Sequence, residues 1–286
     1  MSTATDAIRS ARDGLLALRG QSDEACAGFA WPEITGPFNW AIDWFDETGR
    51  DSGELALWLR DEDGSEERYT FNDMVERSDR LAAWLEAEGV SKGDPVMLML
   101  GNQVELWDAV LAVMKLGAVV LPTAQALQDF DLELRVPRAG VKAVIANPQD
   151  EAKFDGIDQI LTVSTGEPHG RWRSMREAEY LPATPREVVT DADDPCLYYF
   201  TSGTTKEPKL VVHTQLSYPV GHLSTMYFIG VRPGDVHLNI SSPGWGKHAW
   251  SSFFSPFLAQ ATVFILNYDR FSAERLLQVM DAHQVS

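Results

Sequence analysis

Two kinds of apolar pattern alternate along the chain: short unbroken runs, and apolar positions at helical spacing. Pro95-Val96-Met97-Leu98-Met99-Leu100 has no polar position, as in a strand covered on both faces. Gly101-Asn102 makes a turn, and 103–116 reads as a helix with Val104, Trp107, Val110, Leu111 and Met114 on one face. Gly117 ends that helix, and 118–121 is a second apolar strand closed by Pro122. Strand, crossover helix and strand of this type predict a parallel sheet with both faces covered, an α/β fold. A helix over 131–138, interrupted by Pro137, and strands over 143–146 and 159–163 extend it.

The flanking segments follow the same logic. A strand at 55–60, a turn at 61–65 and a return strand at 68–70 form a hairpin. Thr70-Phe71-Asn72-Asp73 resembles a capping box with Asp in place of Glu. The helix it opens runs through Leu81, Trp84 and Leu85 to Gly89. Residues 6–19 predict a short helix followed by irregular chain, and the aromatic-rich 38–46 is expected to cover a core edge. Residues 164–195 are polar, with Pro168, Pro182, Pro185 and Pro195, and suit a crossing between subdomains. Strands follow at 196–200, 210–213, 236–240 and 262–266, with helices at 217–228, 249–258 and 272–282. Pro219 fits the first turn of one helix and Ser272 the cap of another. The expected organisation is an N-terminal extension over 1–35, a first α/β subdomain over 36–180 and a second over 181–286.

The length of 286 residues fits about two domains. Lys and Arg number 24 against 42 Asp and Glu, a net charge of −18, while hydrophobic residues make up 44%. The hydrophobic content excludes a mainly disordered chain. The acidity excludes a general nucleic-acid binder, because an acidic surface repels a phosphate backbone. A single nucleotide, held by a few placed donors, escapes that objection. Two distant cysteines, Cys26 and Cys196, make no disulfide framework and each reads as a buried small hydrophobe. A reducing, cytoplasmic setting fits. The first twenty residues lack an apolar targeting core, and no run reaches the ~18 residues of a membrane span.

The chemistry concentrates in Tyr199-Phe200-Thr201-Ser202-Gly203-Thr204-Thr205-Lys206-Glu207-Pro208-Lys209. An aromatic strand releases four hydroxyl side chains around one glycine, and two lysines follow. Hydroxyls and backbone N–H groups donate to phosphate oxygens, Gly203 admits close approach, and lysine brings positive charge. The spacing is not that of a Walker A loop. On composition alone the stretch is equally a Ser/Thr-rich surface turn. The string Thr-Ser-Gly-Thr-Thr-x-x-Pro-Lys, however, resembles the phosphate-binding loop of the adenylate-forming superfamily, which includes acyl-CoA synthetases, nonribosomal-peptide adenylation domains and luciferases.

A second stretch sharpens the resemblance. Ser241-Ser242-Pro243-Gly244-Trp245-Gly246-Lys247-His248-Ala249-Trp250, followed by Ala261-Thr262-Val263-Phe264, is similar to the Gly-Trp segment of acetyl- and medium-chain acyl-CoA synthetases. Residues 102–122 and 69–96 fit the same group, so the resemblance covers roughly 38–286. It implies two stacked subdomains with largely parallel sheets flanked by helices. It also implies attack of a carboxylate on ATP, release of pyrophosphate, and transfer of the acyl group to a thiol, CoA, with a place in fatty-acid metabolism. Thr201, Ser202, Gly203, Thr204 and Thr205 would grip the β- and γ-phosphates, with Lys206 as an added phosphate contact. Lys209 would neutralise them or set the loop's position, and Lys209 and Thr201 are the catalytic candidates. Trp245 and His248 are the candidate acyl-pocket residues, with core packing as the competing reading. In that competing reading Trp245, Trp250, Phe253 and Phe254 form a buried cluster, and Trp245 with this aromatic cluster suggests an apolar acyl group. Mg²⁺ is implied by ATP chemistry, with no ligand assigned.

Some positions depart from the family pattern. Lys206 and Gln260 stand where glycine is usual, and no Tyr-Gly-x-Thr-Glu string occurs. The chain therefore resembles the N-terminal half of such an enzyme, with the second sheet expected to be incomplete. Other readings stay open: a nitrogen nucleophile as acceptor, or an incompetent nucleotide- or acyl-binding module. The half-enzyme could also need a C-terminal half in trans, or self-associate. His213 and His222 read as structural, Lys247 as solvated, and Glu105 and Asp108 as surface residues. The acidic runs at 61–63 and 191–194 read as solvated turns.

Overall fold

The unbroken apolar runs become the centre of the larger of two sheets. The computed structural model describes residues 2–201 and 208–286. In chain order the strands are β1 (Leu55–Arg60), β2 (Glu66–Thr70), β3 (Pro95–Met99), β4 (Val119–Pro122), β5 (Ala143–Ala146), β6 (Leu161–Ser164), β7 (Trp172–Ser174), β8 (Pro195–Thr201), β9 (Lys209–Thr214), β10 (Val236–Leu238) and β11 (Thr262–Leu266). The helices are α1 (Thr3–Ala17), α2 (Ser22–Gly28), α3 (Glu47–Gly49), α4 (Phe71–Ala87), α5 (Val104–Lys115), α6 (Asp129–Ala139), α7 (Leu223–Ile229), α8 (Gly246–Ala249), α9 (Ser255–Ala259) and α10 (Ala273–Ala282).

Among the described residues one sheet has the order β7-β6-β5-β3-β4-β8-β9 and the other β10-β11-β1-β2. Every pairing is parallel except the hairpins β8–β9 and β1–β2. This is the mixed α/β, largely parallel architecture the pattern predicts. Sheet membership ignores the sequence boundary at 180/181. Strands β8 and β9 join β3–β7, while β11 pairs with β1 and β10 with β11.

Side-chain alternation on the strands assigns the layers. Val96 and Leu98 of β3 share one core with Leu57, Val263 and Ile265 of the smaller sheet. Met97 and Met99 face the other way and pack with Leu132 and Val136 of α6. Phe264 and Leu266 face outward from the smaller sheet towards Val279 of α10. The layers therefore run α6, larger sheet, central helices, smaller sheet, α10. Burial of apolar area at roughly 25 cal/mol per Å² supplies most of the driving force for such stacking.

The central layer departs from the expected pattern. Residues 38–46 do not cover an edge: Trp40–Asp46 is a π-helical turn in the shared core, with Trp40 and Trp44 fully buried. Asn39 caps it by accepting from the backbone N–H of Ala41 and Ile42. The predicted helix over 249–258 is α8, a π-helical turn Trp250–Phe254, and α9. The helix predicted over 217–228 begins as a 3₁₀ turn, Val220–His222, before α7. The expected irregular chain after α1 contains α2, and Cys26 on it is exposed, while Cys196 is buried. Pro137 does not break α6, which ends at a left-handed Gly140. The capping box at Thr70 forms as predicted, with Asp73 returning a bond to the cap N–H.

Candidate functional site

The chain crosses from β3 to β4 on one side and then from β4 back to β5 on the other side of β3, which creates a switch point at the carboxyl ends of these strands. In open α/β sheets that edge forms a ligand crevice. Three chain segments meet there: Gly101-Asn102 after β3, Thr123-Ala124 after β4, and the end of β8. Thr201 is the last residue of β8 and lies opposite Lys209, the first of β9. Both side chains are exposed. Ser202, Gly203, Thr204, Thr205 and Lys206 lie outside the described residues.

A narrow apolar cavity of about 30 Å³ opens at the same end of the sheet. Its walls come from α5 (Trp107, Val110), the ends of β4 and β8 (Pro122, Tyr199), the Pro243–Trp245 turn and α8 (His248). Both sequence-chosen residues, Trp245 and His248, line it. Trp245 is 65% exposed, so the expected buried cluster of Trp245, Trp250, Phe253 and Phe254 is buried only at the two phenylalanines. Tyr218 anchors the turn into α8 by donating its hydroxyl to the Gly246 carbonyl at 3.1 Å.

His248 is buried, with its ring 5.7 Å from that of Trp107. Its Nε2 lies 3.0 Å from Asn102 Oδ1. An amide oxygen only accepts, so Nε2 carries the proton and Nδ1 presents a lone pair. Burial pushes the imidazole down to about 4, so it is neutral at pH 7. Asn102 is held in turn, its carbonyl accepting from Asn267 Nδ2 at 3.0 Å. On the opposite wall Tyr199 is buried, and its hydroxyl has no hydrogen-bond partner among the described residues. Burial raises that phenol far above its ordinary range, so it stays a donor.

The π-helical turn behind the cavity is fixed by polar contacts. Trp107 Nε1 donates to the Ser252 carbonyl at 3.0 Å, and Asn239 Nδ2 donates to Ser252 Oγ at 2.9 Å. His237 Nε2 is 3.2 Å from Ser251 Oγ. Turns of this type recur at functional sites. His222 stacks on Phe254 and His213 packs on Tyr218, so both histidines sit among aromatic side chains. The reading of Asp108 as a surface residue is corrected. It is 3% exposed and takes Arg77 in a bidentate pair, accepting from Nε at Oδ1 at 3.1 Å and from Nη2 at Oδ2 at 2.6 Å. Among the described residues no group of three or more His, Cys, Asp or Glu is placed to hold a metal ion. These residues thus offer Mg²⁺ no built site, and the ion is treated as part of the MgATP substrate.

Trp245 and His248, singled out from the sequence, line the cavity together with Tyr199 and Gly244, which were not singled out, and Asn102, also not singled out, holds His248. The signal for Asn102 was present, since it directly follows the apolar run of β3 at the crossover. Tyr199 carried the weaker signal of standing two residues before Thr201.

An α/β sheet with an apolar cavity at its carboxyl edge is an architecture suited to small-molecule ligands. The model of the AMP-binding enzyme family matches residues 46–286, and the chain belongs to that family. It is 37% identical over 238 residues to 4-hydroxybutyrate–CoA ligase 1 of Metallosphaera sedula, covering 81% of this chain and 42% of that protein. It is 31% identical over 270 residues to the mitochondrial acyl-coenzyme A synthetase ACSM3 of Rattus norvegicus, covering 89% of this chain and 46% of that protein. The crystal structure of an acyl-CoA synthetase from Brucella canis superposes with a TM-score of 0.79 at 24% identity. That match covers 96% of this chain and 51% of the other and speaks for the fold alone. The chain spans less than half the length of these two curated relatives.

Proposed function

We propose that these residues bind ATP and a carboxylic acid for an AMP-forming acid–thiol ligase. In that reaction the carboxylate attacks the α-phosphate of ATP, pyrophosphate leaves, and the acyl-adenylate passes its acyl group to a thiol, CoA. The observation that carries the reading is the shared edge. Tyr199 lines the cavity, and two residues later Thr201 ends β8 and opens the hydroxyl-rich stretch. An acid in the cavity and a triphosphate on residues 201–209 would then meet at one end of one sheet, which supplies proximity. Thr201, Ser202, Gly203, Thr204, Thr205 and Lys206 contact the β- and γ-phosphates, and Lys209 offsets the charge that grows on pyrophosphate as it leaves. Trp245 and His248 shape the acid site. The names of the relatives, a 4-hydroxybutyrate–CoA ligase and acyl-coenzyme A synthetases, support CoA as the acceptor.

The test is a pair of measurements. The 286-residue chain should bind a fluorescent ATP analogue, with Lys209→Ala weakening it roughly tenfold or more, the worth of a charge-assisted contact. In a protein carrying the rest of the relatives' length, the same substitution should depress acid-dependent ATP–pyrophosphate exchange. Unchanged binding and exchange would remove Lys209 from the site.

A further inference from the structure

The walls of the cavity are almost wholly carbon, although Tyr199 and His248 among them carry polar groups. The Tyr199 hydroxyl is buried out of reach of water, so this residue contributes its ring. The neutral imidazole of His248 has one N–H, and Nε2 donates it to Asn102 Oδ1 at 3.0 Å. Asn102 does not line the cavity, so the proton points out of it. Asn102 belongs to the turn after β3 of the larger sheet, yet it is braced from the smaller one. Asn267, the residue after β11, donates from Nδ2 to the Asn102 carbonyl at 3.0 Å and to Asp61 Oδ1 at 2.9 Å. Its backbone N–H donates to the Arg60 carbonyl at 2.8 Å. The carboxyl ends of β1 and β11 thus hold the turn that holds the imidazole.

We propose that Asn102, braced by Asn267, is a positioning residue of the acid site: it keeps the His248 N–H out of the cavity, so that the site selects an acid with an all-carbon tail over one with an oxygen in that tail. The proposal rests on the reading of the cavity as the acid site. A tail oxygen gives up its hydrogen bonds to water on entry and meets walls of carbon, which costs affinity where a methylene gains it. Without the Asn102 amide the buried N–H loses its acceptor. An alkyl tail then leaves that donor unpaired, whereas an ether oxygen accepts from it, and the discrimination shrinks.

The experiment measures binding of isosteric acids that differ by one oxygen to the 286-residue chain by isothermal titration: butanoate and methoxyacetate, pentanoate and 3-methoxypropanoate. The fluorescent ATP analogue serves as an independent readout of folding and of the phosphate stretch. Wild type should bind each alkyl acid roughly tenfold tighter than its ether. Asn102→Leu, close to asparagine in shape, should narrow that gap to about threefold or less. Asn267→Ala removes the brace behind Asn102 and should narrow it in part, and the analogue should bind all three proteins alike. A long-range nitrogen–proton NMR spectrum reads the position of the imidazole proton directly. That proton should sit on Nε2 of His248 in wild type and be shared between both nitrogens in Asn102→Leu, the signals being assigned by their loss in His248→Gln. A wild-type proton on Nδ1, ethers that bind as tightly as the alkyl acids, or a preference unchanged in both variants would overturn the proposal and leave the acid-site reading standing. Binding of no acid, with the analogue still bound, would overturn both.

Discussion

Gly244 stands directly against the chain that leaves β4. A Cβ built on it would fall 2.6 Å from Ala124 Cα and 2.8 Å from the Thr123 carbonyl carbon, and its φ is +88°. Both facts demand glycine, since the left-handed region strains L-residues and backbone atoms do not yield as a flexible side chain would. The Pro243–Trp245 turn is thereby pressed onto the carboxyl end of β4, which sets the cavity wall. Gly244→Ala should cost about 2 kcal/mol or more of stability and abolish acid binding. Binding of the ATP analogue should fall much less. Urea unfolding and the two titrations check this, and equal losses of both ligands would place the effect in global unfolding.

Lys115 is 1% exposed, yet it carries a charge into the central layer. Its Nζ lies 2.7 Å from Asp79 of α4 and 2.8 Å from Asp46 of the π-helical turn. Arg50 reaches Asp79 at 2.8 Å. The network joins α5, α4 and the Trp40–Asp46 turn, and burial pushes the Asp46 carboxyl up to about 6 despite Lys115. Lys115→Met removes the central cation and should destabilise by roughly 3–5 kcal/mol, because buried carboxylates lose their partner. Acidification should rescue the variant in part. Protonated Asp46 needs no cation, so the gap to wild type in urea midpoint should narrow between pH 7 and pH 5. A gap that stays constant over that range would mean that Asp46 does not titrate there.

These two features mark what the sequence could and could not convey. The β3–α5–β4 unit was legible because its pattern is local: an unbroken run, a helical stripe, a glycine stop, another run. The Thr70 cap was legible for the same reason. Lys115 gave no signal, because a lysine near a helix end before Gly117 usually lies in solvent, and its partners come from two other elements. Asp108 was misread likewise, since its i,i+3 spacing to Glu105 says nothing of Arg77 on α4. The π-helical turns Trp40–Asp46 and Trp250–Phe254 share the aromatic content and apolar spacing of ordinary helices or core edges. The pairing of β1 with β11, more than 200 residues apart in register at Leu57 and Val263, is set only when the whole core collapses. At the site, Trp245 and His248 stood out by their segment, whereas Tyr199 and Gly244 matter through neighbours that the fold brings up.

His248 makes stability sensitive to acid. Its folded imidazole titrates near 4, against about 6.5 in the unfolded chain. Below pH 6.5 the unfolded state takes up a proton that the folded state refuses, so stability is full above 6.5 and is lost as the pH falls towards 4. At pH 5 the loss from this group is about 2 kcal/mol relative to pH 7.5. Asp46 acts in the opposite sense, since its raised folded value favours the folded state below 6. The contribution of His248 is therefore read as a difference. His248→Gln should unfold at a higher urea concentration than wild type at pH 5, relative to their difference at pH 7.5. Parallel profiles would mean that the imidazole titrates normally.

Gln260 ends α9 in the left-handed region, with φ +58° and ψ +42°, at a position where the resemblance calls for glycine. That conformation costs an L-residue about 1 kcal/mol. The compensation is visible: Arg12 Nη1 of α1 donates to Gln260 Oε1 at 2.6 Å. Arg12 is itself buried, with its guanidinium 5.2 Å over the Trp44 ring. A hydrogen bond to a buried charged group is worth about 1.5–3 kcal/mol, more than the strain. Gln260 thus gives up backbone comfort to dock the N-terminal helix on the central layer beside β11. Gln260→Gly loses the bond but relieves the strain, and should be about 1 kcal/mol less stable than wild type. Gln260→Ala loses the bond and keeps the strain, so it should lie roughly another 1 kcal/mol lower. Thermal or urea unfolding of the three proteins checks the order. A glycine variant more stable than wild type would show that the Arg12 contact is worth less than the strain, and equal glycine and alanine variants would show that the strain is absent.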